Sequence, residues 1–253
     1  MTLPSFSLEG KVAVITGGSR GIGKAIALGF ADTGAAVAIC ARTASDLEQV
    51  AEEIRSRGGR SLAVPTDIGQ KADIDNLFSS TVQEFGTVDI LVNNAIEYSP
   101  GLFLDLQDED WDRMMNIYLK GYFHCSQAAA RIMAERKKGN VINFTSVGGI
   151  KAPPGYSLYG IAKAAIIMMT KAMAIELAQH NIRVNAIAPS LVRTEGSRPL
   201  WEDPGILELI IPTIPLGRIA EPDELTGLAL FLASDASSYI TGQTILVDGG
   251  TLT

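Results

Sequence analysis

A serine, a tyrosine thirteen residues later and a lysine four beyond it (Ser146, Tyr159 and Lys163) are the residues of this chain best suited to move a proton. From Tyr156 onward the stretch YSLYGIAKAAIIMMTKAMAIELA has helical apolar periodicity, so Tyr159 and Lys163 fall one turn apart on one face. An ammonium beside a phenol favours the phenolate and lowers its pKa from about 10. Bringing it near neutrality takes roughly 3 units, or ~4 kcal/mol. A phenol so placed exchanges a proton with an alcohol or a carbonyl. In isolation such a pair is commonplace on helix surfaces. Its meaning depends on the elements that position it.

Those elements alternate. KVAVIT (11–16) is a β-branched run that stops at TGGSRGIG and is followed by a helical pattern and then by AAVAICA (35–41). This is a βαβ unit whose glycines let backbone approach a pyrophosphate, with a helix N-terminus behind them. A helix opening at Ser45 with a capping box to Glu48 comes next, then a strand at 61–67 and a helix over 74–85. A strand at 88–95, a long helix over 109–137 and a strand at 141–146 continue the pattern. After the 156–179 helix come a strand at 182–189, a helix at 222–234 and a strand at 244–250. Strict alternation predicts an α/β fold, a Rossmann-type doubly wound parallel sheet flanked by helices on both faces. No repeat, linker or low-complexity tract divides the chain, so a single domain is expected over 1–253. Ligands of such sheets bind outside the carboxyl ends of the strands, where the Gly-rich turn, Asp67, 93–95, Ser146 and Pro189 converge.

Composition narrows the partners. A net charge of −7 and a pI near 4.9 argue against nucleic acid and anionic membranes. The N-terminus has no secretory pattern, and the apolar runs read as shorter than the ~20 residues a membrane span needs. Cys40 and Cys125 sit in apolar segments without CxxC spacing, as buried free thiols of a reducing cytoplasm would. His124 and His180 have no companion ligands, and no metal site is expected.

Taken together and in order, TGGSRGIG, Asp67, NNA at 93–95, Ser146, YGIAK at 159–163, IRVNAIAP and GQTILVDGG resemble the short-chain dehydrogenase/reductase family over nearly the whole chain. The resemblance extends to the branch holding 3-oxoacyl-carrier-protein reductases and glucose and alcohol dehydrogenases. It implies that Gly17, Ser19, Arg20, Gly21, Ile22 and Gly23 hold the cofactor phosphates, and that Asp67 and Ile68 meet the adenine. Asn93, Asn94 and Ala95 would line the ribose, Lys163 would bond the nicotinamide ribose beside Tyr159, and Pro189, Val192 and Thr194 would close over the nicotinamide. Ser146 would bond the substrate oxygen while Tyr159 passes it the proton. A cytoplasmic homotetramer is implied by the same analogy.

The end of the second strand bears on the cofactor. An acidic residue there would bind ribose hydroxyls, but the chain has Ala41, Arg42 and Thr43. A guanidinium matches a 2′-phosphate in charge and geometry, so NADP(H) is expected, with carbonyl reduction as the favoured direction.

Three positions depart from the family pattern. Ile96 replaces the glycine of NNAG, and a β-branched residue resists positive φ. Tyr118 stands where the family's asparagine holds a water that links the lysine to solvent, and its hydroxyl is a candidate to hold that water instead. Asn116 is about 200° round the helix from it at 3.6 residues per turn. Ser190 follows the proline where glycine is common.

Substrate contacts are expected from a lid over about 190–215, with Leu200, Trp201, Ile206, Leu209 and Ile210, and from Ile96, Tyr98, Phe103, Tyr118 and Tyr156. That lining suits a ketone or a 3-oxoacyl thioester. Tyr156 is seven residues before Lys163, the spacing of some enoyl-thioester reductases, which leaves enoyl reduction as an alternative. A nucleotide-binding sensor or structural subunit without turnover is the alternative of another class.

Overall fold

The chain is described by a computed structural model over residues 5–97 and 100–253. Its strands are β1 (Val12–Thr16), β2 (Ala36–Ala41), β3 (Arg60–Pro65), β4 (Ile90–Asn93), β5 (Gly139–Phe144), β6 (Ile182–Pro189) and β7 (Thr244–Val247). The helices are α1 (Gly21–Asp32), α2 (Ala44–Ser56), α3 (Lys71–Phe85), α4 (Asp108–Met115), α5 (Tyr122–Glu135), α6 (Ser157–Leu177), α7 (Arg198–Trp201), α8 (Pro204–Ile210) and α9 (Thr226–Ala233).

The strands form one parallel sheet in the order β3-β2-β1-β4-β5-β6-β7. All five residues of β1 are buried, which is why that strand is a continuous apolar run rather than an alternating one. One face packs Ile15, Ile39, Phe30, Leu47 and Ile54 against α1, α2 and α9. The other packs Leu77, Tyr118, Tyr122, Cys125 and Ile166 against α3, α5 and α6. The strand order reverses direction between β1 and β4, and a crevice opens at that point.

Four expectations need correction. The capping box at Ser45 does not form: Thr43 is the cap position of α2, it makes no side-chain cap bond, and Ser45 already lies inside the helix. The long central helix is not continuous. Between α4 and α5, Asn116–Gly121 forms a π turn, a widening that periodicity at 3.6 cannot reveal. Gly121 allows it, because a Cβ there would lie 2.8 Å from the Ile68 carbonyl oxygen. The stretch Ser157–His180, 24 residues at mean hydropathy 1.5, is long and apolar enough to cross a membrane, contrary to the sequence reading. In the fold it lies on the sheet beside β6, with the Lys163 side chain buried within it. Finally, neither Ile96 nor Ser190 has a positive φ, so neither departure from glycine strains the backbone.

Candidate active site

The Gly-rich turn between β1 and α1 is shaped by close backbone approach. Gly17 has φ +67°, and a Cβ on Gly23 would lie 2.2 Å from the Gly17 carbonyl oxygen and 2.6 Å from Asn94 Nδ2. No side chain fits there without moving backbone. Asn94 Nδ2 donates to the carbonyls of Thr16 (3.0 Å) and Gly17 (3.3 Å), tying the turn to the end of β4. Thr16, which the sequence reading passed over, completes the tie: its Oγ1 accepts from the backbone N–H of Asn94 (2.9 Å) and Ala95 (3.1 Å). Its signal was present as the last residue of β1, directly before the glycines.

Above this turn lies a cavity of about 330 Å³. Gly17, Ser19, Arg20, Gly21, Ile22, Arg42, Asp67, Ile68, Asn94, Ala95, Ile96 and Thr194 line it. Thr43, and Glu195 from the expected lid, line it as well, together with Asp46, Glu97 and Ile117, to which no sequence signal pointed. Glu97 Oε2 stands 3.6 Å from Arg42 Nη1 across the groove. Thr194 packs over Gly21, and the Ile96 side chain reaches Gly196, so the start of the 190–215 segment already covers one end.

Several expected residues lie elsewhere. Asn93 does not reach the groove. It is fully buried and donates to Ser126 Oγ and Asn143 Oδ1, both at 2.9 Å, beneath the sheet end. Gly23 lies under the turn, and Pro189 and Val192 are buried, Pro189 offering its carbonyl to Ser146 Oγ at 3.4 Å. Leu200 and Trp201 do not line the cavity; the Trp201 indole N–H donates to the Thr194 carbonyl at 2.8 Å and its ring lies under Arg193. Trp201 therefore fastens the covering segment to itself. Tyr98 lies outside the described residues.

Ser146, Tyr159 and Lys163 do not line this cavity; Tyr118, which touches Lys163 and Tyr159, joins them to Glu97 in its lining. Ser146, two residues beyond β5, is extended; its Oγ accepts from the Gly148 N–H at 3.0 Å and stands beside the Tyr159 phenol. Tyr156 stands with its ring 6.5 Å from that of Tyr159, edge to face. Lys163 is buried, and its ammonium donates to the Phe144 carbonyl at 2.8 Å and lies 5.6 Å from the centre of the Tyr159 ring.

Burial reverses the protonation pattern that spacing alone suggested. It pushes the Tyr159 phenol above its ordinary value, and the Ser146 bond offsets only part of that rise. The same burial brings Lys163 down to about 7. At neutral pH the phenol is thus a protonated donor rather than a phenolate.

Tyr118 does not line the cavity. It is fully buried, its hydroxyl donates to the Glu97 carbonyl at 2.6 Å, and its ring rather than its hydroxyl faces Lys163, 4.4 Å from Nζ. Asn116 points the other way, donating to the Gly69 carbonyl at 3.2 Å.

The sequence model of a family described as enoyl-(acyl carrier protein) reductase matches residues 17–252. The chain is 40% identical over 246 residues, 96% of its length and 98% of the relative's, to a 3-oxoacyl-[acyl-carrier-protein] reductase of Synechocystis. A short-chain type dehydrogenase/reductase from Mycobacterium marinum superposes with TM-score 0.94 at 43% identity, over 98% of this chain and 97% of that one. A gluconate 5-dehydrogenase from Burkholderia cenocepacia, solved with NADP and tartrate, superposes with TM-score 0.94 at 36% identity, over 97% and 96%.

Proposed function

Since the chain belongs to the short-chain dehydrogenase/reductase family and is an oxidoreductase of that fold, we propose that it reduces a carbonyl, a ketone or a 3-oxoacyl thioester, to a hydroxyl with NADPH. The observation that carries the reading is the meeting of Ser146, Tyr159 and Lys163 beside a groove whose floor excludes any Cβ. Ser146 holds the substrate oxygen, Tyr159 donates its phenol proton to it, and the Lys163 ammonium stabilises the phenolate left behind. A phenol kept protonated by burial suits this direction better than alcohol oxidation, which would need a base.

The groove fits a dinucleotide. Gly17, Ser19, Arg20, Gly21 and Ile22 would offer the turn and the α1 N-terminus to the phosphates, Asp67 and Ile68 would meet the adenine and Ala95 the nicotinamide-side ribose, with Lys163 reaching that ribose from beside Tyr159. When bound, the reduced nicotinamide supplies the hydride. Arg42 faces the 2′-phosphate after exchanging Glu97 for it. That exchange is favourable because an exposed ion pair contributes only ~0–1 kcal/mol, whereas a guanidinium–phosphate contact is charge-assisted and bidentate. Residues 190–215 act as the lid. Exposed Phe123, Met168 and Ile175 on α5 and α6 are apolar faces on which a homotetramer would assemble.

The family description in terms of enoyl reduction favours one second reading, with Tyr156 as the donor. Tyr159→Phe and Tyr156→Phe separate the two. Ketone reduction is expected to fall ~10³-fold in the first variant, within the range of general-acid catalysis, and by under ~10-fold in the second. The reverse order, on an enoyl thioester, would transfer the assignment to Tyr156.

A further inference from the structure

Lys163 is seated in tyrosines. Its Nζ lies 4.4 Å from the centre of the Tyr118 ring, 5.7 Å from that of Tyr122 and 5.6 Å from that of Tyr159. Among the described residues its one side-chain hydrogen bond goes to the Phe144 carbonyl. The two hydroxyls on the α4–α5 side are turned away from it, Tyr118 to the Glu97 carbonyl and Tyr122 to the Ala95 carbonyl at 3.0 Å. Both rings are thereby fixed at their far ends, and both are fully buried. The Tyr118 ring also stands edge to face against Tyr159, centroids 5.8 Å apart at 81°.

We propose that Tyr118 is a positioning residue for the proposed carbonyl reduction: its ring face, held by the Glu97 carbonyl, seats the Lys163 ammonium beneath Tyr159 by a cation–π contact. The closest of the three ring contacts is at Tyr118, well inside the ~6 Å within which such attraction operates, and the site is dry enough for it to be strong. Tyr118 on the π turn and Tyr122 at the start of α5, four residues apart, lie on one side of the chain and both face the same lysine. The inference rests on the reading of Lys163 as the charge beneath Tyr159, yet the seat itself can be tested without turnover.

The titratable groups facing Lys163 are Tyr159 on its own helix, Tyr118 on the π turn and Tyr122 on α5, with Ser146 beyond Tyr159, Glu97 against Tyr118 and Cys125 near Tyr122. Burial holds Tyr118, Tyr122 and Cys125 well above their ordinary values and Tyr159 above its own, so these groups remain neutral while Lys163 titrates. A ring face favours the charged amine, so removing it must lower the Lys163 midpoint.

The test is an NMR titration of ¹³Cε-labelled lysine in the protein without cofactor, with the Lys163 resonance assigned by its loss in Lys163→Met. Tyr118→Leu is expected to lower the midpoint by about one pH unit. Tyr118→Phe, which keeps the ring, restores it to within ~0.3 unit, and Tyr122→Leu lowers it less than Tyr118→Leu. Should Tyr118→Leu fail to fold by circular dichroism, Tyr118→Met supplies a ringless side chain that is unbranched and adapts more readily to the space. A midpoint unmoved in the ringless variant, or moved as far by Phe, would overturn the seat. Where a ketone is turned over, the alkaline limb of kcat against pH moves with the midpoint. Absence of turnover, with the midpoint shifted as expected, would count against the carbonyl-reductase reading alone.

Discussion

Two walls of the crevice are built on opposite principles. The β1–α1 wall is backbone against backbone: Gly23 lies where a Cβ would stand 2.2 Å from a carbonyl oxygen, and Asn94 and Thr16 stitch the turn to β4. The wall from α4 to α5 is side chain against side chain, with Tyr118 and Tyr122 filling it and their hydroxyls holding the chain after β4 through the carbonyls of Ala95 and Glu97. The first wall tolerates no added atom. The second is defined by ring faces and adjusts to changes that preserve them.

The sharpest way to break that contrast is Gly23→Ala. The added methyl must displace Gly17 or Asn94, and NADPH binding, followed by cofactor fluorescence, is expected to weaken ~100-fold or more. Gly227→Ala in α9 is the control, since nothing lies within 4 Å of its Cβ position and its φ is not positive. It is expected to leave binding alone and to stabilise slightly, by ~0.5–1 kcal/mol.

Lys163→Met comes next and probes the tyrosine wall. Turnover is expected to fall ~10²-fold, while the fold gains stability. The lysine's ordinary value of 10.5 drops to about 7 in the folded protein. Between these values the unfolded chain keeps a proton that the folded chain has released, so this group's contribution to stability rises with pH across that window. Below about 7 both states are protonated and the whole burial penalty is present. The variant should therefore melt several degrees above wild type at pH 6–7, with the gap closing towards pH 10, as calorimetry would measure. A variant that melts lower at pH 6–7 would mean that the seat and the Phe144 bond outweigh the burial penalty.

Arg42→Ala is expected to have the smallest effect, because the guanidinium is two-thirds exposed (67%). Affinity for NADPH should fall ~10-fold and that for NADH by less than ~3-fold, as paired titrations would show. Equal losses would remove Arg42 from the choice of cofactor.

The same contrast explains what could be read from the sequence. Steric demand at the Gly-rich turn is local, so TGGSRGIG between two strands was sufficient to place it. The strand at 182–189 was legible to the residue, as Ile182–Pro189, because its β-branched and apolar residues stand between a helix and a proline-ended loop. Ser146 and Tyr159 could be paired because one follows the carboxyl end of a strand and the other lies in the first turn of the next long helix. The tyrosine wall was not legible. Four-residue spacing puts Tyr118 and Tyr122 on one side, but it does not show that their hydroxyls turn to carbonyls while their rings meet Lys163. Asn93 was misplaced for a related reason: neighbouring strand residues point to opposite sides, and only the fold shows that Asn94 faces the turn while Asn93 faces Ser126. The expected lowering of the Tyr159 pKa failed because spacing does not reveal the burial that raises it, which the Ser146 hydroxyl offsets only in part.

The most direct measurement is absorbance at the reduced-nicotinamide band, with NADPH and NADH side by side. The panel would hold 3-oxoacyl thioesters, enoyl thioesters, cyclic and aryl ketones, and sugars. The account predicts turnover of a ketone or a 3-oxoacyl thioester, with NADPH preferred. Tight NADPH binding without turnover of any carbonyl would contradict it, and would leave a protein that binds the dinucleotide without using it.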